Sequence, residues 1–101
     1  MRVIIFFDLP SVTDAEKREY RHFRKMLLRN GFIMQQQSVY SKLALNNTVA
    51  ESIKAVVRKN KPKQGLIEML VITEHQFGKM EYVLGEEQNL IEESTKRLII
   101  L

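Results

Sequence analysis

Two continuous apolar runs, each about the length of a β-strand, stand out along the chain. Residues 2–7 are rich in Val, Ile and Phe, and residues 66–73 are rich in Leu, Ile and Val. An unbroken apolar run like that at 2–7 is typical of a strand buried on both faces. Residues 32–43 are predicted to form one strand or two joined strands, and the three glutamines at 35–37 indicate a bend or bulge within this segment.

The first helix is predicted between the first two strand segments. Thr13 and Glu16 form a capping box, in which the Thr side chain accepts from the backbone of the Glu and the Glu reaches back to the Thr. The helix continues to about Arg29, and Asn30 and Gly31 end it because both residues tolerate left-handed backbone geometry.

A second helix and a single helical turn are predicted from two further capping patterns. Thr48 and Glu51 form the second capping box, and residues 60–65 end that helix with a Pro and a Gly. Thr73 and Gln76 form the third, which predicts one turn after the second apolar strand. The second helix has an apolar face made of Val49, Ile53, Val56 and Val57.

The C-terminal part alternates only weakly until its last residues. Residues 80–84 are interpreted as a short strand, and residues 85–96 as a loop or frayed helix. The apolar tail at 97–101 is predicted to be an extra strand that pairs with a partner subunit, because left in water it would be an exposed sheet edge. The residues assigned to this pairing are Leu98, Ile99, Ile100 and Leu101.

The order of elements predicts the fold class. A β-α-β-β-α-β order matches the split βαβ plan of ferredoxin-like folds, so we expect an α+β, ferredoxin-like sandwich with an extra C-terminal strand. A chain of 101 residues is expected to form one domain, spanning 1–101, and the tail strand makes a homodimer plausible.

Charge changes this picture because it is unevenly distributed. The net charge is +4, but residues 1–65 hold 13 Lys/Arg against 5 Asp/Glu, and residues 66–101 hold 3 against 7. Such an asymmetry favours a polyanionic partner for the first part of the chain, although an ordinary solvated surface is the alternative.

Composition excludes several kinds of site. The chain has no cysteine, which excludes disulfides and thiolate metal sites. No stretch approaches the ~20 apolar residues that a membrane span needs, so no membrane partner is expected and the cytoplasm is the expected location. His22 and His75 are too far apart in the sequence to indicate a metal cluster, and the four glycines form no phosphate-binding loop.

The first helix carries the strongest functional pattern. At ~100° per residue, Tyr20, Phe23 and Leu27 share the face expected to meet the core. The helix dipole would favour cations near its C-terminal end, but it leaves Arg18 and Arg21 near the start unexplained. Cations in a stripe attract phosphate backbones through counterion release. The opposite face carries five basic residues, called here the basic stripe: Arg18, Arg21, His22, Lys25 and Arg29.

A second basic group lies at the end of the second helix and in the loop after it. The helix dipole explains cations there about as well as nucleic-acid binding does. Lys54 and Arg58 are predicted to contact nucleic acid. The whole group consists of Lys54, Arg58, Lys59, Lys61 and Lys63.

Asp8 stands at the end of the first apolar strand, where loops leave a sheet and sites gather. Its carboxylate could hold Mg²⁺, a hard cation that prefers oxygen ligands. On the residues alone a turn-forming or capping role is favoured, because metal-assisted phosphodiester cleavage usually needs several oxygen ligands. A two-fold axis that brought two Asp8 residues together would supply more of them.

Several segments together resemble one family. Residues 3–10 (VIIFFDLP) are similar to its first strand and Asp-containing turn, and residues 20–28 (YRHFRKMLL) to its first helix. Residues 31–42 (GFIMQQQSVYSK) resemble its most recognisable part, and residues 73–77 (TEHQF) its later helix start. On these motifs the chain resembles the small CRISPR-associated proteins of spacer acquisition, the Cas2 family, and most closely the type II-A branch.

The resemblance implies a function as well as a fold. Members are ferredoxin-like dimers that sit between two dimers of the CRISPR integrase, in an assembly that captures a DNA fragment and inserts it into the repeat array. The residue matching Asp8 is assigned in the family as a Mg²⁺ ligand of a nuclease site between the subunits, and the C-terminal strand takes part in subunit and partner contacts. Members are often named endoribonucleases, although cutting is not needed for the scaffold role.

The leading hypothesis is therefore a dimeric scaffold that binds double-stranded DNA without reading its sequence. The rival hypothesis is an Mg²⁺-dependent endonuclease, acting on RNA or DNA through Asp8 at the dimer interface. A toxin-type ribonuclease on a related fold is a third possibility that the sequence separates poorly. A single-strand RNA reader is disfavoured, because such modules stack bases on strand aromatics and the aromatics here lie mainly on core-facing positions.

Overall fold

The computed structural model describes residues 1–85, which form four strands and three helices. The strands are β1 (Arg2–Asp8), β2 (Ile33–Gln36), β3 (Val39–Leu43) and β4 (Leu66–Ile72). The helices are α1 (Asp14–Arg29), α2 (Asn47–Lys59) and the short α3 (Glu74–Gly78). The predicted β-α-β-β-α-β order is confirmed, and the tail strand at 97–101 lies outside the described residues.

The four strands form one antiparallel sheet in the order β2-β3-β1-β4. This order, with β1 and β3 in the centre, is the ferredoxin-like arrangement that the sequence predicts. The register shifts between Met34 and Gln36 where β2 pairs with β3, so the predicted bulge at the glutamines is confirmed. Ser41, which is fully buried, donates its hydroxyl to Gln35 Oε1 at 3.0 Å beside the bulge.

One face of the sheet packs against α1 and α2 to form the core. Val3, Ile5 and Phe7 of β1 point to this side, where Phe7 makes edge contacts with the rings of Tyr20 and Phe23. Both long helices contribute apolar side chains at helical spacing, so a single core holds the sheet and the two helices together. The helical side chains buried there are Phe23, Met26 and Leu27 of α1, and Ala50, Ile53 and Val57 of α2.

Two of the three predicted helix starts are confirmed. Thr13 caps α1 and Thr73 caps α3, each in a complete capping box. The prediction for α2 was wrong, because Asn46 is the residue that accepts the free backbone N–H of Val49 at 2.9 Å. Asn is as good an N-cap as Thr or better, and Asn46 precedes Thr48, so the helix begins earlier than the Thr pattern indicates.

The other face of the sheet turns away from both long helices, and we term it the open face. On this face of β1, Ile4 is buried but Phe6 is 36% exposed, so the expectation that residues 2–7 are buried on both faces fails at Phe6 within residues 1–85. Leu70 of β4 is 52% exposed on the same face. From the register, the residues on the open face include Ile4, Phe6 and Asp8 of β1, Leu43 of β3, and Leu66, Glu68 and Leu70 of β4.

Residues 77–85 lie over part of the open face and leave a cleft of about 660 Å³ against Ile4 and Phe6. The short strand predicted at 80–84 does not form; these residues are irregular. Across residues 1–85, no helix is long and apolar enough to cross a membrane.

A polar clamp holds α3 at the start of β1. Arg2 forms a two-pronged hydrogen bond with the Glu74 carboxylate, at 3.0 and 2.8 Å, and its guanidinium lies 4.2 Å from the centre of the Phe77 ring. The hydrogen bond from Arg2 lowers the pKa of Glu74 below its ordinary value, so Glu74 is ionised at neutral pH. The clamp fixes the segment that borders the open face.

Candidate functional site

The basic stripe forms a continuous solvent-facing surface on α1. All five of its residues are exposed, while Phe23 and Leu27 on the opposite side are buried in the core. The amphipathic pattern therefore placed the stripe correctly, and its five side chains are available to a ligand outside the protein.

The structure brings part of the stripe together with a residue from a distant loop. His22, Lys25 and Arg29 line one side of a groove, and Lys61 lines it from the segment that follows α2. Arg18 and Arg21 lie outside this groove, further along the exposed surface of α1. Lys61 belongs to the second basic group in the sequence, but no sequence pattern indicated that it would join the stripe.

The two cations of that group predicted to contact nucleic acid, Lys54 and Arg58, are engaged within α2. Lys54 Nζ lies 2.9 Å from the Glu51 carboxylate, and Arg58 lies 3.7 Å from it. The hydrogen bond from Lys54 lowers the pKa of Glu51 below its ordinary value, so Glu51 is ionised and offsets part of the positive charge here. Contact of Lys54 and Arg58 with nucleic acid stays a prediction.

Asp8 ends β1 with its side chain on the open face. Along β1 the side chains alternate, so Asp8 shares its face with Phe6 and Ile4, and it is exposed. Two neighbours hold this strand end: the N–H of Phe7 donates to the Ser38 carbonyl at 3.0 Å, and Asp8 itself pairs with Leu66 of β4.

Gly65, directly before β4, allows the backbone of β4 to lie close to the end of β1. Its φ of +110° lies in a region that side-chain-bearing residues rarely adopt. A Cβ at this position would lie 2.6 Å from Leu9 Cδ2 and 2.9 Å from the Asp8 carbonyl oxygen. Only glycine leaves both backbones where they are, so Gly65 is part of what positions Asp8.

A second carboxylate, which the sequence analysis missed, lies on the same face as Asp8. Glu68 of β4 is exposed and is the direct partner of Phe6, which makes it the diagonal neighbour of Asp8. Such diagonal neighbours lie roughly 7–8 Å apart between Cα atoms. The signal in the sequence was a single charge at an alternate position of an otherwise apolar strand.

Residues 1–85 do not by themselves supply a complete donor set for a divalent cation. Carboxylate oxygen is the ligand that Mg²⁺ prefers, and Asp8 and Glu68 offer it on one surface. Within residues 1–85, however, no three His, Cys, Asp or Glu side chains converge on one point. Beside Asp8 and Glu68, Mg²⁺ would need ligands from outside residues 1–85, such as water, a second subunit or the substrate.

Comparison with known proteins gives one consistent family. The sequence model described as CRISPR associated protein Cas2 matches residues 1–80. The chain is 50% identical over 101 residues to the CRISPR-associated endoribonuclease Cas2 of Treponema denticola, with 100% of each chain covered. It is 48% identical over 101 residues to the protein of the same name from Streptococcus mutans serotype c, with 100% of this chain and 93% of the relative covered. These relatives agree with the type II-A-like sequence pattern.

A solved structure agrees with the fold. The crystal structure of Streptococcus pyogenes Cas2 at pH 6.5 is similar to this chain with a TM-score of 0.63, covering 84% of this chain and 100% of that one. The sequence identity over this match is 21%, so the likeness bears on the fold alone.

Proposed function

The chain belongs to the family of CRISPR-associated Cas2 proteins, and we propose that it acts in CRISPR adaptation as a dimeric scaffold that binds double-stranded DNA. In this role the dimer joins two dimers of the CRISPR integrase. Binding is independent of DNA sequence, because contacts to the phosphate backbone position a protein without reading bases.

The exposed basic stripe is the observation that carries the DNA-binding part of the proposal. From Arg18 to Arg29 it extends roughly 16 Å along the helix axis, which is the axial rise of about five phosphates on one DNA strand. Arg suits phosphate oxygens because its planar group donates two parallel hydrogen bonds. A rigid α-helix holds these cations in a line, as a regular polyanion requires.

The open face supports the dimer. Three leucines that are more than half exposed, Leu43, Leu66 and Leu70, share it with Phe6. An apolar surface of this kind on a small protein indicates an interaction site. A symmetric pair of open faces would cover these side chains and would bring the two copies of Asp8 to the same interface.

Removing the stripe charges tests the scaffold function. The quadruple variant Arg18→Ala, Arg21→Ala, Lys25→Ala, Arg29→Ala is expected to bind duplex DNA roughly 100-fold more weakly at low salt. Its plot of log affinity against log salt is expected to be shallower by about 3 to 4 for each protomer in contact, because fewer counterions are released. Fluorescence anisotropy across a salt series measures both quantities.

A matched control uses four exposed lysines outside the stripe: Lys17, Lys59, Lys63 and Lys79. Replacing them by alanine removes the same charge but is expected to leave most of the salt slope in place. Equal losses in the two variants would mean that net charge, rather than the stripe, determines binding, and an unchanged slope in the stripe variant would rule out the proposed surface.

The position of Asp8 favours a second function, an Mg²⁺-dependent endonuclease. Asp8 and Glu68 lie on the face proposed for dimerisation, and the relatives carry the name endoribonuclease. A bound Mg²⁺ would supply Lewis-acid activation of a phosphodiester. Asp8 would hold the ion, and the surrounding apolar face would exclude bulk water once a second copy covers it.

Asp8→Asn tests the nuclease function, since the amide keeps the shape of the side chain but loses its charge. Cleavage of RNA in Mg²⁺ is expected to fall by at least about 100-fold, while the dimer stays intact on a sizing column. The control is Asp14→Asn, because Asp14 is an exposed carboxylate on α1 away from the open face. This variant is expected to cleave RNA as the wild type does. Cleavage that persists in Asp8→Asn or in EDTA would assign it to another site or to a contaminant.

A further inference from the structure

The groove between α1 and residues 60–62 combines cations from two separate parts of the fold. It encloses about 450 Å³, and its floor is formed by the buried side chains of Phe23 and Met26. We term it the basic groove. The polar residues around it are Glu19, His22, Lys25, Arg29, Asn60 and Lys61.

Among residues 1–85, no ion pair engages the cations of the basic groove. Within residues 1–85 the ion pairs engage Arg2, Lys54 and Arg58, and none of them reaches Lys25, Arg29 or Lys61. Among the described residues that line the groove, Glu19 carries the one acidic group, so their side chains have an excess of positive charge.

The ends of the two helices do not need these cations as caps. The Asn60 side chain donates to the Val56 carbonyl at 2.8 Å, and Asn30 donates in the same way to Met26 at 2.8 Å. These two carbonyls therefore have side-chain partners, and within residues 1–85 neither Lys61 nor Arg29 donates a side-chain hydrogen bond to a helix carbonyl.

Pro62 restricts where Lys61 can lie. A residue before proline is confined largely to extended backbone geometry, so the Lys61 backbone has fewer conformations to sample. This restriction reduces the conformational entropy that the loop would lose when Lys61 binds a ligand, and so it favours binding.

We propose that the basic groove is a specific binding point for a backbone phosphate of duplex DNA, gripped by Lys25 and Arg29 from α1 and by Lys61 from the opposite wall. The assignment rests on the duplex-binding function proposed above and adds Lys61 to it. The groove opens onto the exposed surface of α1 that carries Arg18 and Arg21, so a strand seated in it can continue along the stripe. An isolated small anion would leave those two arginines unused.

Lys61→Ala and Lys63→Ala form a matched pair for the test. Both lysines are exposed, lie two positions apart in the same loop and carry the same charge. Lys63 lines a neighbouring groove with Leu9 and Pro10 and takes no part in the basic groove. Lys61→Ala is expected to weaken duplex binding roughly 5- to 10-fold at low salt and to lower the salt slope by about 1 per groove occupied. Lys63→Ala is expected to change affinity by less than about twofold.

Glu19→Gln provides a change of opposite sign. Removing the carboxylate from the groove is expected to strengthen duplex binding by about two- to threefold, because the phosphate no longer faces a like charge. The same titrations in phosphate buffer and in chloride at equal ionic strength distinguish a polymer backbone from free phosphate. Equal affinities support the proposal, as does competition by inorganic phosphate that Lys61→Ala abolishes. Competition that Lys61→Ala leaves unchanged acts at another site and overturns the groove assignment.

The outcomes separate this proposal from the function on which it rests. If the stripe variant loses its salt slope while Lys61→Ala matches Lys63→Ala, DNA binding stands and the groove assignment is wrong. If neither the stripe variant nor Lys61→Ala changes the slope, both are wrong. A loss in Lys61→Ala that is reversed by Lys61→Arg supports the groove, since arginine restores the charge.

Discussion

Replacing Gly65 by alanine is expected to lower the free energy of unfolding by roughly 3 kcal/mol, a large effect for one added methyl group. The backbone at Gly65 has φ of +110°, and the new Cβ would meet Leu9 Cδ2 at 2.6 Å and the Asp8 carbonyl oxygen at 2.9 Å. Because one of these atoms belongs to the backbone, the clash is relieved only if β4 or the end of β1 moves.

Urea unfolding at a fixed protein concentration measures this loss, and the concentration matters because dimerisation would add to apparent stability. Gly78→Ala is the control, since a Cβ there meets nothing within 4 Å. It is expected to change the free energy of unfolding by less than about 0.5 kcal/mol. A similarly small change in Gly65→Ala would show that the loop adapts, and Gly65 would then have no special part in placing Asp8.

Replacing Leu70 by glutamate is expected to convert the proposed dimer to a monomer. Leu70 is 52% exposed on the open face of β4, and in a symmetric pair each substitution places two carboxylates at the interface. Burying unpaired charges costs several kcal/mol, so the dissociation constant of the dimer is expected to rise roughly 100-fold or more. Sedimentation equilibrium across a range of concentrations measures the change.

Leu45→Glu is the matched control for this prediction. Leu45 is 85% exposed in the loop between β3 and α2, away from the open face. The variant therefore makes the same change of side chain and charge outside the proposed interface. Its dimerisation is expected to equal that of the wild type. A dimer that persists in Leu70→Glu would place the subunit contact elsewhere, and the Asp8 residues would then have no reason to meet.

The two functions proposed for this family member depend on opposite sides of the molecule. DNA binding uses the exposed surface of α1, and the nuclease uses the open face of the sheet. The basic-stripe variant is therefore expected to lose DNA binding but keep any nuclease activity, and Asp8→Asn is expected to do the reverse. This separation allows scaffold and enzyme to be tested in the same protein.

The sequence by itself determined the four strands, the two long helices and the exposed position of the basic stripe. The apolar run of β1, the capping box at Thr13 and the helical spacing of the basic stripe are local patterns, set by neighbours a few residues apart. Such patterns fail where two local signals compete. Asn46, and not Thr48, is the N-cap of α2. Glu51 therefore forms no capping box and instead forms ion pairs with Lys54 and Arg58.

Only the tertiary structure decided which separate residues meet. Glu68 lies diagonal to Asp8 because β4 pairs antiparallel to β1 in one register, and a shift of a single residue would turn Glu68 to the other face. Lys61 comes near the basic stripe because the loop after α2 lies across the basic groove from α1. Register and loop packing depend on contacts between residues dozens of positions apart, and no local pattern of polar and apolar residues contains that information.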